Sequence, residues 1–284
     1  MTNLPLYFSP CPNDTFCFHA MVFGFVDTEG LRFEPHLEDV EQLNRRILRQ
    51  TPAISKISYV VLPEIAHRYR MLPCGSALGF GNGPLLVARK PMHTIAAETR
   101  IAIPGVHTTA AFLLKYAYPQ AVYTQPMLFS QIPDAVLSGV CDAGVLIHEG
   151  RFVYQQQGLH LIADLGQCWE ARTGLPIPLG GIAVSRELDN ACQEKIARIL
   201  HRSIRYALEH PESGKTYIRQ HAQEMEEEVI RQHIELFVNK YTLHIGTEGR
   251  KAVEALLWAA QKLHPTGLAM PAWAESDLFV PLLA

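Results

Sequence analysis

The chain has 284 residues, 48% hydrophobic and 19% charged, enough to bury a sizeable core in two α/β lobes. A formal charge of −3 without any long run of Lys or Arg excludes the electrostatic footprint of a nucleic-acid or anionic-lipid partner and leaves small molecules as ligands. No stretch approaches the roughly 18 apolar residues of a membrane span, the start MTNLPLYFSPCPNDTF has no signal-peptide pattern, and the six cysteines lack CxxC or metal-ligand spacing, so we expect reduced thiols, no bound metal and a cytoplasmic location.

In chain order, the pattern predicts a strand at 4–8, a proline-bounded turn at 9–13 and a helix at 15–23. A second strand at 31–37 leads through Asp39, a plausible N-cap, into a helix with Val40, Leu43, Ile47 and Leu48 on one face. A strand near 53–57 is followed by a predicted helix from Ser58 to Tyr69, and CGSALGFGNG reads as a mobile glycine-rich connection into an apolar strand at 85–88. RIAIPGVHTTAAF is the clearest local unit, with a buried strand at 100–103, a Pro104-Gly105 turn and a helix opening near Thr108. A helix at 130–138, a strand at 143–147 and a strand near 180–185 follow. The rest reads as helices at 190–210, 211–221, 226–241 and 247–263.

This βα alternation implies an α/β architecture of two doubly wound lobes and a helix-rich C-terminal third. With no linker, the chain is expected to cross between lobes near 88 and 184. Residues 1–88 and 185–284 then build one lobe, and 89–184 form the inserted other. A ligand belongs in the cleft, against the C-terminal ends of strands and the helix N-termini that follow. Four polar loops fall on that edge: Ser9 to Asp14, Ser55 to Ser58, Gly105 to Thr109 and His148 to Arg151.

His148 stands out because histidine titrates near neutrality and a strand end holds it rigidly while leaving it open to a cleft. Position alone favours a surface or hydrogen-bonded structural histidine over a catalytic one. Glu149 can orient the ring or cap the next turn, and Arg151 can pair with a substrate carboxylate or with Glu149. His107, at the mouth of the helix after Thr108 and Thr109, is a second candidate, more naturally a neutral hydrogen-bond donor there. Those threonines can cradle a carboxylate beside the helix amides or simply cap the helix. Taken alone, Asp14 and the Glu38-Asp39 pair read as caps, while His201, His210, His221 and His233 read as surface residues of amphipathic helices. There is no GxSxG elbow, HExxH or EF-hand loop.

SPCPNDTFCFHA, EDVEQLN, SKISY, GNGPLLVA, PGVHTTA, LIHEGRFVY and WEARTGLPIPLGGI, in this order, resemble the 1,4-dihydroxy-6-naphthoate synthases of the futalosine route to menaquinone. The likeness runs from about Leu4 to FVNKYTL, departing at Cys17 and around the glycines of CGSALGFGNG. It implies a fold like the type 2 periplasmic binding proteins and a lyase that fragments cyclic dehypoxanthine futalosine without metal or organic cofactor. It also implies that His148 is the base, with Thr108, Thr109, Asp14, Asn44 and Ser58 in the ligand cradle. Ser55, His107 and Arg151 complete the expected substrate contacts. Chorismate dehydratase of the same route and a non-catalytic solute-binding protein are the alternatives, and a homodimer is left open.

Overall fold

The computed structural model describes residues 2–92, 94–222, 226–263 and 278–282, so the last part of the expected third segment lies partly outside the described residues. Its strands are β1 (Thr2–Phe8), β2 (Leu31–Leu37), β3 (Ile54–Ser58), β4 (Tyr69–Met71), β5 (Ala77–Gly79), β6 (Leu85–Ala88), β7 (Ile101–Ile103), β8 (Thr124–Pro126), β9 (Ala143–Leu146), β10 (His160–Asp164) and β11 (Ile177–Ser185). They form two mixed sheets. One has the order β2-β1-β3-β11-β4, with β5 also on β11; the other has the order β10-β6-β9-β7-β8.

In the first sheet, β1 pairs in parallel with β2 and β3, and β11 returns antiparallel against β3. Leu4, Leu6 and Phe8 alternate along β1 into a core shared with Phe16, Phe18, Ile196 and Leu200. Helix Pro12–Val22 opens with proline at its first turn and is buried almost throughout, wedged against helix Asn190–Glu209, so its sequence carries no amphipathic stripe. Asp39 caps helix Val40–Arg49 as expected, accepting from Glu41 N.

Sheet membership changes between Gly79 and Leu85, and again between Asp164 and Ile177, earlier than the expected crossings near 88 and 184. Three other expectations are corrected. The helix expected over 58–69 is a tight turn at Tyr59–Val61 and a short helix at Leu62–Ile65. Its last residue, Tyr69, instead opens β4, whose backbone groups find partners along β11. The glycine-rich connection contains β5 rather than being structureless. The helix expected over 226–241 stops at Phe237, since Asn239 and Thr242 form a reciprocal capping box that starts a new turn at Lys240. Elements absent from the sequence reading include the exposed strand β8, the edge strand β10 and the weakly amphipathic helix Leu165–Thr173, which nevertheless buries Trp169 completely.

Candidate active site

β9 is buried at every residue, antiparallel to β6 and parallel to β7. Just past its end the backbone of His148 turns left-handed, at φ +53°, a conformation rare outside glycine and asparagine. The imidazole lies between the edge-on ring of Phe129, 5.1 Å away, and the nearly parallel ring of His233, 6.0 Å away at 14°. Its Nε2 is sealed from solvent and makes no hydrogen bond among the described residues. Burial pushes the His148 pKa down to about 4, opposed by the charge of Asp14 and aided by that of Lys56. The ring is therefore neutral at pH 7 and keeps an unengaged nitrogen.

The first loop supplies the rest of a buried polar chain. Asp14 is not a helix cap: its carboxylate accepts from Ser9 Oγ at 2.7 Å and pairs with Lys56 Nζ at 2.6 Å. Asn13 Nδ2 donates to Asp14 Oδ1 at 2.9 Å, which leaves Asn13 Oδ1 as acceptor for His233 Nε2 at 3.0 Å. His233 is completely buried rather than on the surface, because helix Glu227–Phe237 turns its apolar face, with Val229, Ile230 and Phe237, toward the cleft loops. Burial and the neighbouring His148, Arg151 and Lys56 push its pKa well down, so it is neutral as well. Cys11, at the start of the same loop, has its thiol pushed well up by burial and by Glu149. Ligand atoms of Cys11, His148 and Glu149 lie within 4.8 Å of one another, a donor set that fits a metal ion.

Thr108 caps helix Thr109–Ala117, accepting from Ala111 N, and its hydroxyl donates to Gly105 O. Thr109 Oγ1 donates across the cleft to Leu179 O at 2.7 Å. Asn44 Nδ2 donates both to Ser58 Oγ and to His107 O, while its Oδ1 accepts from Ser58 N. Instead of facing the cleft as a free donor, His107 is held by Glu41, whose carboxylate meets both its backbone N at 3.0 Å and its Nδ1 at 2.8 Å. Ser55 is fully buried with its hydroxyl turned back to Lys56 O. Arg151 donates to Gly83 O at 2.6 Å and faces Asp164 at 3.7 Å.

His148, Asp14, Ser58, Thr108, Thr109 and Arg151 line one cavity of about 80 Å³ between the sheets, together with Ser9, Asn13 and Lys56. Asn44, His107 and Ser55 do not line it. A larger groove of about 550 Å³ runs past Val106, His107, Phe112 and Val122. It shares only Thr108 with the small cavity and holds neither His148, Asp14, Lys56 nor Arg151, so the small cavity is the better candidate. Lys56 and His233 were missed by sequence reasoning. SKISY placed Lys56 in a cleft strand, but only the fold brings it to Asp14, and His233 sits in a helix whose burial depends on distant loops.

The family model described as menaquinone biosynthesis matches residues 5–262. A protein of Thermus thermophilus named 1,4-dihydroxy-6-naphthoate synthase is 44% identical over 99% of this chain and 100% of its own length. One of the same name from Streptomyces coelicolor is 39% identical over 95% of this chain and 99% of its own. A solved Archaeoglobus fulgidus protein superposes with a TM-score of 0.85 at 33% identity, covering 94% of this chain and 98% of that one. The Escherichia coli aliphatic sulphonate-binding protein, at 10% identity, shares the fold with a TM-score of 0.63 over 98% of this chain and 91% of that one. The two-lobed chain with His148 at the end of β9 thus has the periplasmic-binding-protein fold and belongs to the menaquinone biosynthesis family.

Proposed function

We propose that this protein is a 1,4-dihydroxy-6-naphthoate synthase, a carbon–carbon lyase acting on cyclic dehypoxanthine futalosine, with His148 as general base. The names of both curated relatives support the activity. The observation that carries the residue assignment is the neutral His148 at the interlobe cavity, its Nε2 without a hydrogen bond among the described residues. A protonated imidazole cannot accept a proton; this one, with its pKa near 4, is free to do so across the neutral range.

In this reading His148 removes the acidic proton beside the substrate carbonyl. The resulting enolate breaks a carbon–carbon bond, the ribose-derived fragment leaves, and aromatisation of the ring system drives the step forward. Lys56, held by Asp14, offers positive charge to the developing oxyanion. The first-turn amides of helix Thr109–Ala117, beside Thr108 and Thr109, receive the substrate carboxylate. Arg151 braces the cavity wall through Gly83 and Asp164.

The test is incubation of the purified protein with cyclic dehypoxanthine futalosine, no cofactor added, with chromatographic detection of the naphthoate. Product formation is the expected result. Consumption of chorismate in place of that substrate overturns the reading in favour of the dehydratase, and tight binding of substrate without turnover overturns it in favour of a solute-binding protein.

A further inference from the structure

We propose that Cys11, His148 and Glu149 form a binding site for a thiophilic divalent cation such as zinc, which shuts the enzyme off by occupying the base. The three side chains supply sulfur, nitrogen and oxygen, the mixed donor set that zinc accepts. Their ligand atoms lie within 4.8 Å of one another. A tetrahedral zinc site, with bonds of about 2.0–2.3 Å, needs ligand separations of roughly 3.3–3.8 Å, so displacements of about 1 Å complete it. Cys11 is 3% exposed and Glu149 2% exposed, and His148 is part-buried, so the set lies at the floor of the cavity and not on the surface.

Two further observations point to a cation. His148 Nε2 is buried without a hydrogen bond among the described residues, and so is His233 Nδ1. In His233 the tautomer is fixed from outside the cluster: Asn13 commits its amide nitrogen to Asp14 and can only accept from Nε2, so Nδ1 carries a lone pair. That nitrogen lies 3.9 Å from Glu149 Oε2, at the edge of the donor set, where its lone pair can close a fourth position. Glu149 supplies the negative charge beside the Cys11 thiol, whereas that of Asp14 is compensated by Lys56. Binding exchanges the thiol proton for the metal: the S–H bond breaks, a thiolate–metal bond forms, and one proton passes to solvent without redox change.

The inhibitory half rests on the reading of His148 as base, whereas the binding half does not. Cobalt(II) serves as the spectroscopic probe and zinc, in competition with a chromogenic chelator, as the affinity probe, both on the intact protein. We expect one equivalent bound with a thiolate-to-cobalt absorption band that is lost in Cys11→Ser and kept in Cys168→Ser. Zinc affinity should fall at least about ten-fold in Cys11→Ser. Should Cys11→Ser not fold, Glu149→Gln carries the same expectation for zinc affinity. Turnover should fall with zinc occupancy, be relieved competitively by substrate, and return with EDTA. Absence of one-equivalent binding, or a band that survives in Cys11→Ser, overturns the site whatever His148 does. Cys11-dependent binding with undiminished turnover overturns the inhibition and counts against His148 as base.

Discussion

His148 combines a left-handed backbone, a ring fixed between Phe129 and His233, and a pKa lowered to about 4 by burial. A proton-coupled NMR titration of its ring should therefore have a midpoint near 4, and kcat/KM should be flat from about pH 6 to 8, falling only toward acid as the base is protonated. A midpoint near the ordinary histidine value would contradict the burial argument. The same shift affects stability. Because the folded pKa lies below the unfolded one, the unfolded chain binds the proton more tightly. Stability conferred by the neutral ring is complete above about pH 6.5 and drains away as pH falls toward 4, by roughly 3 kcal/mol in all. Chemical denaturation at pH 7 and 5 should reveal that slope. The buried Asp14–Lys56 pair sets a third expectation: Lys56→Met leaves Asp14 uncompensated and should cost about 3–5 kcal/mol in denaturant titrations, along with most turnover. The sequence made His148 visible, because an apolar strand ending in histidine is a local pattern. It hid Lys56 and His233, whose roles depend on side chains from other segments closing around them.

Among the elements, helix Val40–Arg49 and the loop before helix Thr109–Ala117 act as a pair. Glu41 and Asn44, one turn apart on the first, grip the backbone and ring of His107 on the second. Gly105 makes this approach feasible: its φ is +143°, and a Cβ there would stand 2.3 Å from Glu41 Oε2. Gly105→Ala should therefore loosen the grip on His107 and lower the melting temperature by several degrees, which differential scanning calorimetry can read. An unchanged melting temperature would show that the contact is slack. The strand–turn–helix unit around PGVHTT was readable because its apolar run, turn and cap are contiguous. Local sequence does not carry the partner of that turn, so the hydrogen bond by which Asn44 and His107, expected as ligand contacts, join the lobes was not legible.

Across the molecule, the cavity of about 80 Å³ is far smaller than the roughly 300 Å³ or more of ordinary ligand pockets. A substrate-sized ligand does not fit this volume, so we expect the lobes to part when substrate binds. The bonds that must yield include Asn44 to His107 O and Thr109 to Leu179 O. Asn44→Ala should shift the substrate-free population toward the open form, giving a larger radius of gyration in small-angle scattering and a KM raised by several-fold, with kcat less affected. A scattering profile identical to wild type would argue that Asn44 supports only its own lobe. Two lobes follow from the βα alternation, but the crossing points were read too late in the chain, because β5 lies within the glycine-rich stretch and β11 starts in PIPLGG.

The most direct test of the whole account is His148→Asn, a substitution chosen because asparagine tolerates the left-handed backbone at this position. Substrate binding by calorimetry and naphthoate formation by chromatography are measured on the same preparation. Binding within a few-fold of wild type with turnover reduced at least about 100-fold is the expected result. Near-wild-type turnover in the folded variant would contradict the assignment of His148 as the base.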